Sequence, residues 1–287
     1  MRTMSPFGKA SEKENPIVLK TCVESAKNAM IWGGRNSPAH SSWIARKIVN
    51  LISRLPQTSR SKPRVAGNGF KVTGDTSNVS FLLGYHEHKY METLESKMKP
   101  KSTVLDIGAN VGYLALWLLN SKRIANRVKI YGLEPEPDNF AWLQQNVALN
   151  SHLNLIPVPL ALGTFDGKLE LKSHGRGDGS ARVLNCMETS NPVGMHVTKV
   201  DCRTLDSYCS DNQIRPDWLV LDVEGFAGEI LKHGAATLKD CRPNVAVEIH
   251  GPEELDLVES CLAPAAYFPP LEIRSCWGCH LIWLKQN

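Results

Sequence analysis

Val104-Leu105-Asp106-Ile107-Gly108-Ala109-Asn110-Val111-Gly112-Tyr113 is the stretch from which the rest of the chain is read. A short apolar run ends in two glycines four positions apart, and the apolar segment from Tyr113 to Asn120 follows at once. That pattern predicts a buried strand, a tight turn and a helix. Glycines at 108 and 112 let the backbone turn sharply and approach a ligand at the start of the helix. A dinucleotide turn would carry three glycines spaced G-x-G-x-x-G, whereas Asn110 stands in the middle here. The turn therefore suits an adenosyl ligand without a pyrophosphate.

Outward from this turn the alternation continues. Val128 to Leu133 reads as a strand, Asp138 to Leu149 as a helix and Leu153 to Leu160 as a third strand. Trp218 to Val223 is a strand, Ala227 to Leu238 a helix, Asn244 to Ile249 a strand and Glu253 to Leu262 a helix. Leu271 to Ile273 and Leu281 to Leu284 supply a closing antiparallel pair. Short apolar runs alternating with helices specify an α/β fold with a mostly parallel sheet and right-handed crossovers. The rhythm breaks after Gly163. Lys168 to Lys172 and Val197 to Val200 read as strands around the Gly-, Ser- and Asn-rich stretch Ser173 to His196, an inserted hairpin with a long loop. One domain over residues 72–287 follows.

Ligands of open parallel sheets bind beyond the carboxyl ends of the strands. Those ends carry Asp106, Glu134, Asp222 with Glu224, and Glu248 with His250. Glu134 follows Gly108 by 26 residues, a spacing at which a carboxylate accepts hydrogen bonds from both ribose hydroxyls. Asp222 and Glu224, two apart, share one side if the strand stays extended there. Such an acidic cleft attracts a sulfonium and an ammonium group, which points to S-adenosylmethionine as cofactor. Crowded carboxylates also raise one another's pKa toward that of a general base, Asp222 first. Asp222 and Glu224 are alternatively a holder for a divalent cation, the less favoured reading. His250 is a second candidate base, since imidazole titrates near neutral pH, and a structural histidine is the competing reading.

Together these residues resemble the FkbM family of adenosylmethionine-dependent methyltransferases. The resemblance rests on Asp106 to Tyr113, Glu134-Pro135 with Asn139-Phe140, Leu143 and Asn146, Thr204-Leu205-Asp206, Asp222 to Phe226, and Val247-Glu248. It implies a class I Rossmann-like fold, a seven-stranded sheet with an antiparallel C-terminal hairpin, and methylation of a hydroxyl on a sugar, glycan or small natural product. Cofactor contacts are then expected from Asp106, Gly108, Ala109, Asn110, Gly112, Tyr113, Glu134, Pro135, Leu162 and Asp222, and catalysis from Asp222, Glu224 and His250. Two departures stand out. The family's Tyr-Glu pair is split here by His86 in Tyr85-His86-Glu87, and Val220 stands where the family has a lysine.

Residues 1–71 read as a separate basic extension. The net charge of +4 is distributed unevenly, with 13 Lys/Arg against 3 Asp/Glu in residues 1–72. Trp43 to Leu55 spaces Ile44, Ile48, Leu51, Ile52 and Leu55 as an amphipathic helix with Arg46, Lys47 and Arg54 on other faces, followed by a linker from Gln57 to Arg64. Docking on its own domain is the favoured role, with peripheral contact to an anionic membrane or to RNA as minority partners. Met1 to Pro16 has no apolar signal core and no run approaches the roughly 20 apolar residues of a membrane span, so a cytoplasmic location is expected. The eight scattered cysteines are then reduced thiols.

Three features are set aside. Cys276-Trp277-Gly278-Cys279-His280 has the form of a haem-attachment motif without the export that such chemistry requires, and it lacks a fourth zinc ligand. Arg176-Gly177-Asp178 reads as a turn. An RNA methyltransferase using the basic extension, and a non-catalytic protein retaining the fold, remain the alternatives. The chain lacks the Asn/Asp-Pro-Pro-Tyr/Phe motif of amino-group methylation, and its glycine turn and strand-end acids are intact.

Overall fold

A computed structural model describes residues 64–66, 69–73, 87–124, 127–151, 153–173, 182–183, 195–275 and 278–286. The chain divides into two compact units, Met1–Leu55 and Pro56–Asn287, and all described residues belong to the second. The helix read over Trp43 to Leu55, most of the linker, the 174–181 and 184–194 stretches with Arg176-Gly177-Asp178, and Cys276-Trp277 lie outside the described residues.

In chain order the described elements are β1 (Arg64–Val65), β2 (Lys71–Val72), α1 (His88–Lys97), β3 (Thr103–Ile107), α2 (Tyr113–Asn120), β4 (Lys129–Leu133), α3 (Pro137–Leu149), β5 (Leu155–Val158), β6 (Ala161–Leu162), β7 (Gly167–Ser173), β8 (Arg182–Val183), β9 (His196–Arg203), α4 (Leu205–Asp211), β10 (Trp218–Leu221), α5 (Ala227–Lys232), α6 (Ala235–Cys241), β11 (Asn244–Ile249), α7 (Pro252–Leu262), β12 (Leu271–Arg274) and β13 (Cys279–Trp283). The main sheet has seven strands in the order β12-β13-β11-β10-β3-β4-β5. Neighbours pair in parallel from β11 to β5, while β13 is antiparallel to both β11 and β12. This is the seven-stranded sheet expected from the sequence, with β13 as its reversed strand.

Alternate residues of each central strand feed opposite cores, as the two-residue period of a strand requires. Val104, Trp218, Val220, Ala246 and Ile282 join the core that includes Leu94, Leu116 and Leu143 of α1, α2 and α3. Leu105, Leu219, Leu221, Val245 and Val247 join the one that includes Leu205, Ile230, Leu238 and Val258 of α4, α5, α6 and α7. Helices thus cover both faces of the sheet, and its strand ends are left open to a ligand.

Sequence and structure differ in several places. The helix read from Ala227 to Leu238 is two helices, α5 and α6, broken at His233-Gly234, where a Cβ on Gly234 would overlap the Leu205 side chain. The strand read from Leu153 to Leu160 is shorter, and the chain then moves into a second sheet, β6-β9-β7-β8, in which β7 and β9 form the expected inserted hairpin. α1 and α4 were not read as elements. Upstream, Ala66 and Phe70 are buried in the first core with Val72, ahead of the boundary read at residue 72. Two asparagines one turn apart, Asn146 on α3 and Asn150 capping its end, hold this segment. Asn146 accepts the Thr73 N–H at 2.6 Å and donates to the Thr73 carbonyl at 3.0 Å, while Asn150 accepts the Lys71 N–H and donates to its carbonyl.

Candidate active site

β3 ends against β10, and the turn after it is set by contact. Gly108 adopts φ +85° beneath the end of β10, where a Cβ would overlap the carbonyl oxygen of Asp222. The glycine therefore serves first to let two strand ends touch. Gly112, at φ +83°, caps α2 and stands where a Cβ would lie 2.6 Å from Leu143. Between them Asn110 takes φ +49°, a conformation asparagine tolerates better than most residues. Asn146 also reaches this turn, donating to the Val111 carbonyl at 2.8 Å.

Glu134, 4% exposed at the end of β4, stitches the turn to the next helix. Its Oε2 accepts the Asn110 N–H at 2.8 Å and its Oε1 accepts the Glu136 N–H at 2.9 Å. Each oxygen keeps a second lone pair for a ligand hydroxyl. Burial pushes its pKa up to about 7, against the lowering effect of the two amides. Asp106 is likewise 4% exposed, its Oδ2 has no hydrogen-bond partner, and burial followed by repulsion from Asp222 raises it to about 7.

Two recesses open beside the turn. One, about 650 Å³, is lined by Gly108, Asn110, Glu134, Pro135, Leu162, Asp222 and Phe226, among others. The second, about 600 Å³, is lined by Glu87, Tyr90, Asp106, Asn110, Tyr113, Asp222 and His280, among others. Gly108, Asn110 and Asp222 border both. Of the sequence-derived cofactor contacts, Gly108, Asn110, Glu134, Pro135, Leu162 and Asp222 line the first recess, and Asp106, Ala109 and Tyr113 the second. Gly112 shapes the turn and lines neither.

Asp222 and Glu224 do not share an extended strand as the two-residue spacing suggested. β10 stops at Leu221, and Glu224 has φ +50°, so the chain turns between the two acids. Register places a different acid beside Asp222. Val220 pairs with Ala246 and Leu221 with Val247, so the next position brings Asp222 alongside Glu248, which pairs in turn with His280 on β13. Asp222, Glu248 and His280 thus form a row across three neighbouring strands. Asp222 is reachable from the cleft, yet protein crowds it on its other sides. Lost hydration, then Glu248 and Glu87, lift its carboxyl well above the ordinary range, and it stands in hydrogen-bond contact with Glu248. Two carboxyls in such contact oppose each other's ionisation.

His250 lies just past β11 with Nε2 3.6 Å from Glu224 and Nδ1 3.7 Å from Glu254. Glu254 foremost raises its pKa to about 9, against the opposing effect of burial, so the imidazole is protonated at neutral pH. Glu254 was not picked out from the sequence. Its buried carboxylate accepts the N–H of Ala227 at 3.0 Å and that of His250 at 2.8 Å, joining the start of α5 to the end of β11. Its place four residues beyond His250 was the available signal. His280, set aside with its cysteine motif, is 2% exposed, stacks on Tyr90 at 4.0 Å and directs Nε2 to Glu87 at 3.3 Å and Glu248 at 3.9 Å. Counting back along the closing hairpin was the route to it.

Residues 106–267 match the family model of the methyltransferase FkbM domain. The chain belongs to the FkbM methyltransferase family. Among solved structures, methyltransferase FkbM from Methylobacillus flagellatus KT aligns at 16% identity and TM-score 0.47, covering 74% of this chain and 56% of that one. The chain thus spans little more than half of that relative. The precorrin-6y C5,15-methyltransferase from Geobacter metallireducens GS-15 aligns at 12% identity and TM-score 0.43, covering 70% and 88%. An rRNA methylase from Streptococcus thermophilus aligns at 9% and 0.43, covering 70% and 96%. No curated protein matches the chain. Among the described residues, no helix of this FkbM-family protein is long and apolar enough to cross a membrane.

Proposed function

We propose that this FkbM-family protein transfers a methyl group from S-adenosylmethionine to a hydroxyl oxygen of a sugar, glycan or small natural product. The meeting of two unlike recesses at Gly108, Asn110 and Asp222 carries the reading. One has the Glu134 carboxylate opposite an apolar wall of Leu162 and Phe226, which suits a ribose and a flat base. The other has an acidic floor of Asp106, Glu87 and Asp222, with an unpartnered Asp106 oxygen, which suits an ammonium group. Adenosylmethionine joins those chemistries in one molecule, with the sulfonium between them.

When bound, the cofactor supplies an electrophilic methyl: an acceptor oxygen–carbon bond forms as the carbon–sulfur bond breaks and its electron pair stays on sulfur. The protein's part is to hold the acceptor oxygen in line and remove its proton. Asp222, at the junction of the recesses, is the residue we assign to that proton, with its affinity raised by lost hydration and then by the crowding of Glu248. His250 enters protonated and balances the charge of Glu224 and Glu254. The same acids disfavour a polyphosphate acceptor, since every phosphate brought to Glu224 and Glu248 adds like charge. A neutral hydroxyl compound is thus favoured over RNA.

The test is transfer of an isotope-labelled methyl group to panels of sugars, glycans and polyols, with RNA alongside. Asp222→Asn is expected to lower turnover by about a hundredfold or more while donor affinity, read by calorimetry, changes by less than about tenfold. Unchanged turnover in that variant removes Asp222 from the role. Labelling of RNA with none of the hydroxyl compounds overturns the acceptor class.

A further inference from the structure

Two residues of the motif Cys276-Trp277-Gly278-Cys279-His280 lead back to the cleft. Gly278 immediately precedes β13, and a Cβ there would overlap Oε1 of Glu248. The bare glycine is therefore the space into which that carboxyl fits. Its backbone is held by the turn between β12 and β13: the Gly278 N–H donates to the Ser275 hydroxyl at 3.2 Å, and its carbonyl accepts the Ser275 N–H at 3.0 Å. Two residues on, His280 brings Nε2 to 3.9 Å from the other oxygen, Oε2. One oxygen of Glu248 thus rests on Gly278 and the other faces His280, while the carboxyl also makes hydrogen-bond contact with Asp222.

The orientation of His280 is fixed from several sides. Its ring is 2% exposed and stacks on Tyr90, and Nε2 also lies 3.3 Å from Glu87. Nδ1 is buried and meets no hydrogen-bond partner among the described residues. A proton on Nδ1 would be stranded, whereas one on Nε2 faces two acids, so the ring presents its N–H to Glu87 and Glu248. Filling the core alone requires neither a donor aimed at two carboxyls nor a glycine beneath one of them.

We propose that Gly278 and His280 form a seat that holds the Glu248 carboxyl against Asp222, which makes His280 a positioning residue for the base. The seat is independent of the hydroxyl-acceptor reading, and its part in methyl transfer rests on that reading. The other groups facing the acid pair are Glu87 just before α1, Tyr90 on α1, Asp106 on β3, Glu224 after β10 and His250 after β11, with Glu254 of α7 behind His250. The acids among them hinder ionisation of Asp222, and His250 favours it. From the β13 side, the His280 N–H draws charge on Glu248 toward itself. Glu248 then becomes a poorer acceptor of the Asp222 proton, and Asp222 is freed to ionise for its work.

The test uses the full chain with ¹³C-labelled aspartate carboxyls, the Asp222 signal being assigned by its loss in Asp222→Asn. His280→Leu is expected to raise the pH at which Asp222 titrates by about one unit, and His280→Gln, which keeps an amide donor, to bring it most of the way back. Gly278→Ala is expected to act in the opposite sense. Glu248, already in contact with Asp222, has no room to move toward it and swings away, so Asp222 ionises at a pH lower by about one unit. Most of both shifts should vanish once Glu248→Ala is in place, since each acts through that side chain. An Asp222 titration unmoved by Gly278→Ala and His280→Leu, or shifts that persist in full beside Glu248→Ala, overturns the seat. Gly278→Ala decides alone if His280→Leu does not fold. The pH at which methyl transfer rises should follow the Asp222 titration in every variant. Titration shifts as expected without methylation of any hydroxyl compound support the seat and remove the acceptor reading. Methylation of hydroxyl compounds with the Asp222 titration unmoved does the reverse.

Discussion

Asp106 and Glu134 are carboxylates kept from water before any ligand arrives, and each is raised to about 7 chiefly by burial. The folded state therefore holds more protons than the unfolded chain between about pH 4 and pH 7. Their contribution is fully favourable below that window and is lost as pH rises through it. Asp106→Asn, which cannot ionise, is expected to stabilise the ligand-free protein at pH 8 by on the order of 2–4 kcal/mol and to flatten the pH dependence, read by chemical denaturation. The same variant is expected to weaken donor binding. Both acids were legible in the sequence because each ends an apolar strand. Their shared work was less so: Glu134 was read as a ribose contact, and it also clamps Asn110 and Glu136. Glu254 escaped notice and His280 was set aside because their importance comes from pairings across strands and helix starts, which local spacing does not display.

At the level of elements, α3 is the member that fastens the turn to the rest. Asn146 is fully buried and hydrogen-bonds both polar backbone groups of Thr73 and the carbonyl of Val111, so one side chain joins the upstream segment, the glycine turn and the helix. Asn146→Leu leaves those backbone groups unpaired, and a loss of about 2–4 kcal/mol is expected in denaturant titrations, with weaker donor binding at constant fold. Strands of the main sheet were readable from their apolar runs, since burial on both faces demands such runs. The split of one helix into α5 and α6 was not, because the cause is a distant side chain, Leu205, packed where Gly234 lacks one. The mistaken pairing of Asp222 with Glu224 has a similar origin. Two-residue spacing places side chains together only while a strand lasts, and β10 ends at Leu221, before either acid.

For the molecule as a whole, the order of strands decides which residues meet. Placing β10 between β3 and β11 gathers Asp222 and Glu248 with Asp106, which lies more than a hundred residues before them, and reversing β13 adds His280. That outcome follows from topology, which the alternation of strands and helices foretold, though the identity of the neighbours needed register. The contact of Gly108 with the Asp222 carbonyl has its own test. Gly108→Ala forces the ends of β3 and β10 apart and demands a positive φ of alanine, and it is expected to cost about 3 kcal/mol or more and to abolish donor binding in calorimetry. The close seating of these two strands also means that the floor shared by the two recesses is one continuous bed of backbone. In the proposed transfer, the spacing of donor and acceptor is then set by backbone contact between Gly108 and Asp222, and not by the reach of side chains.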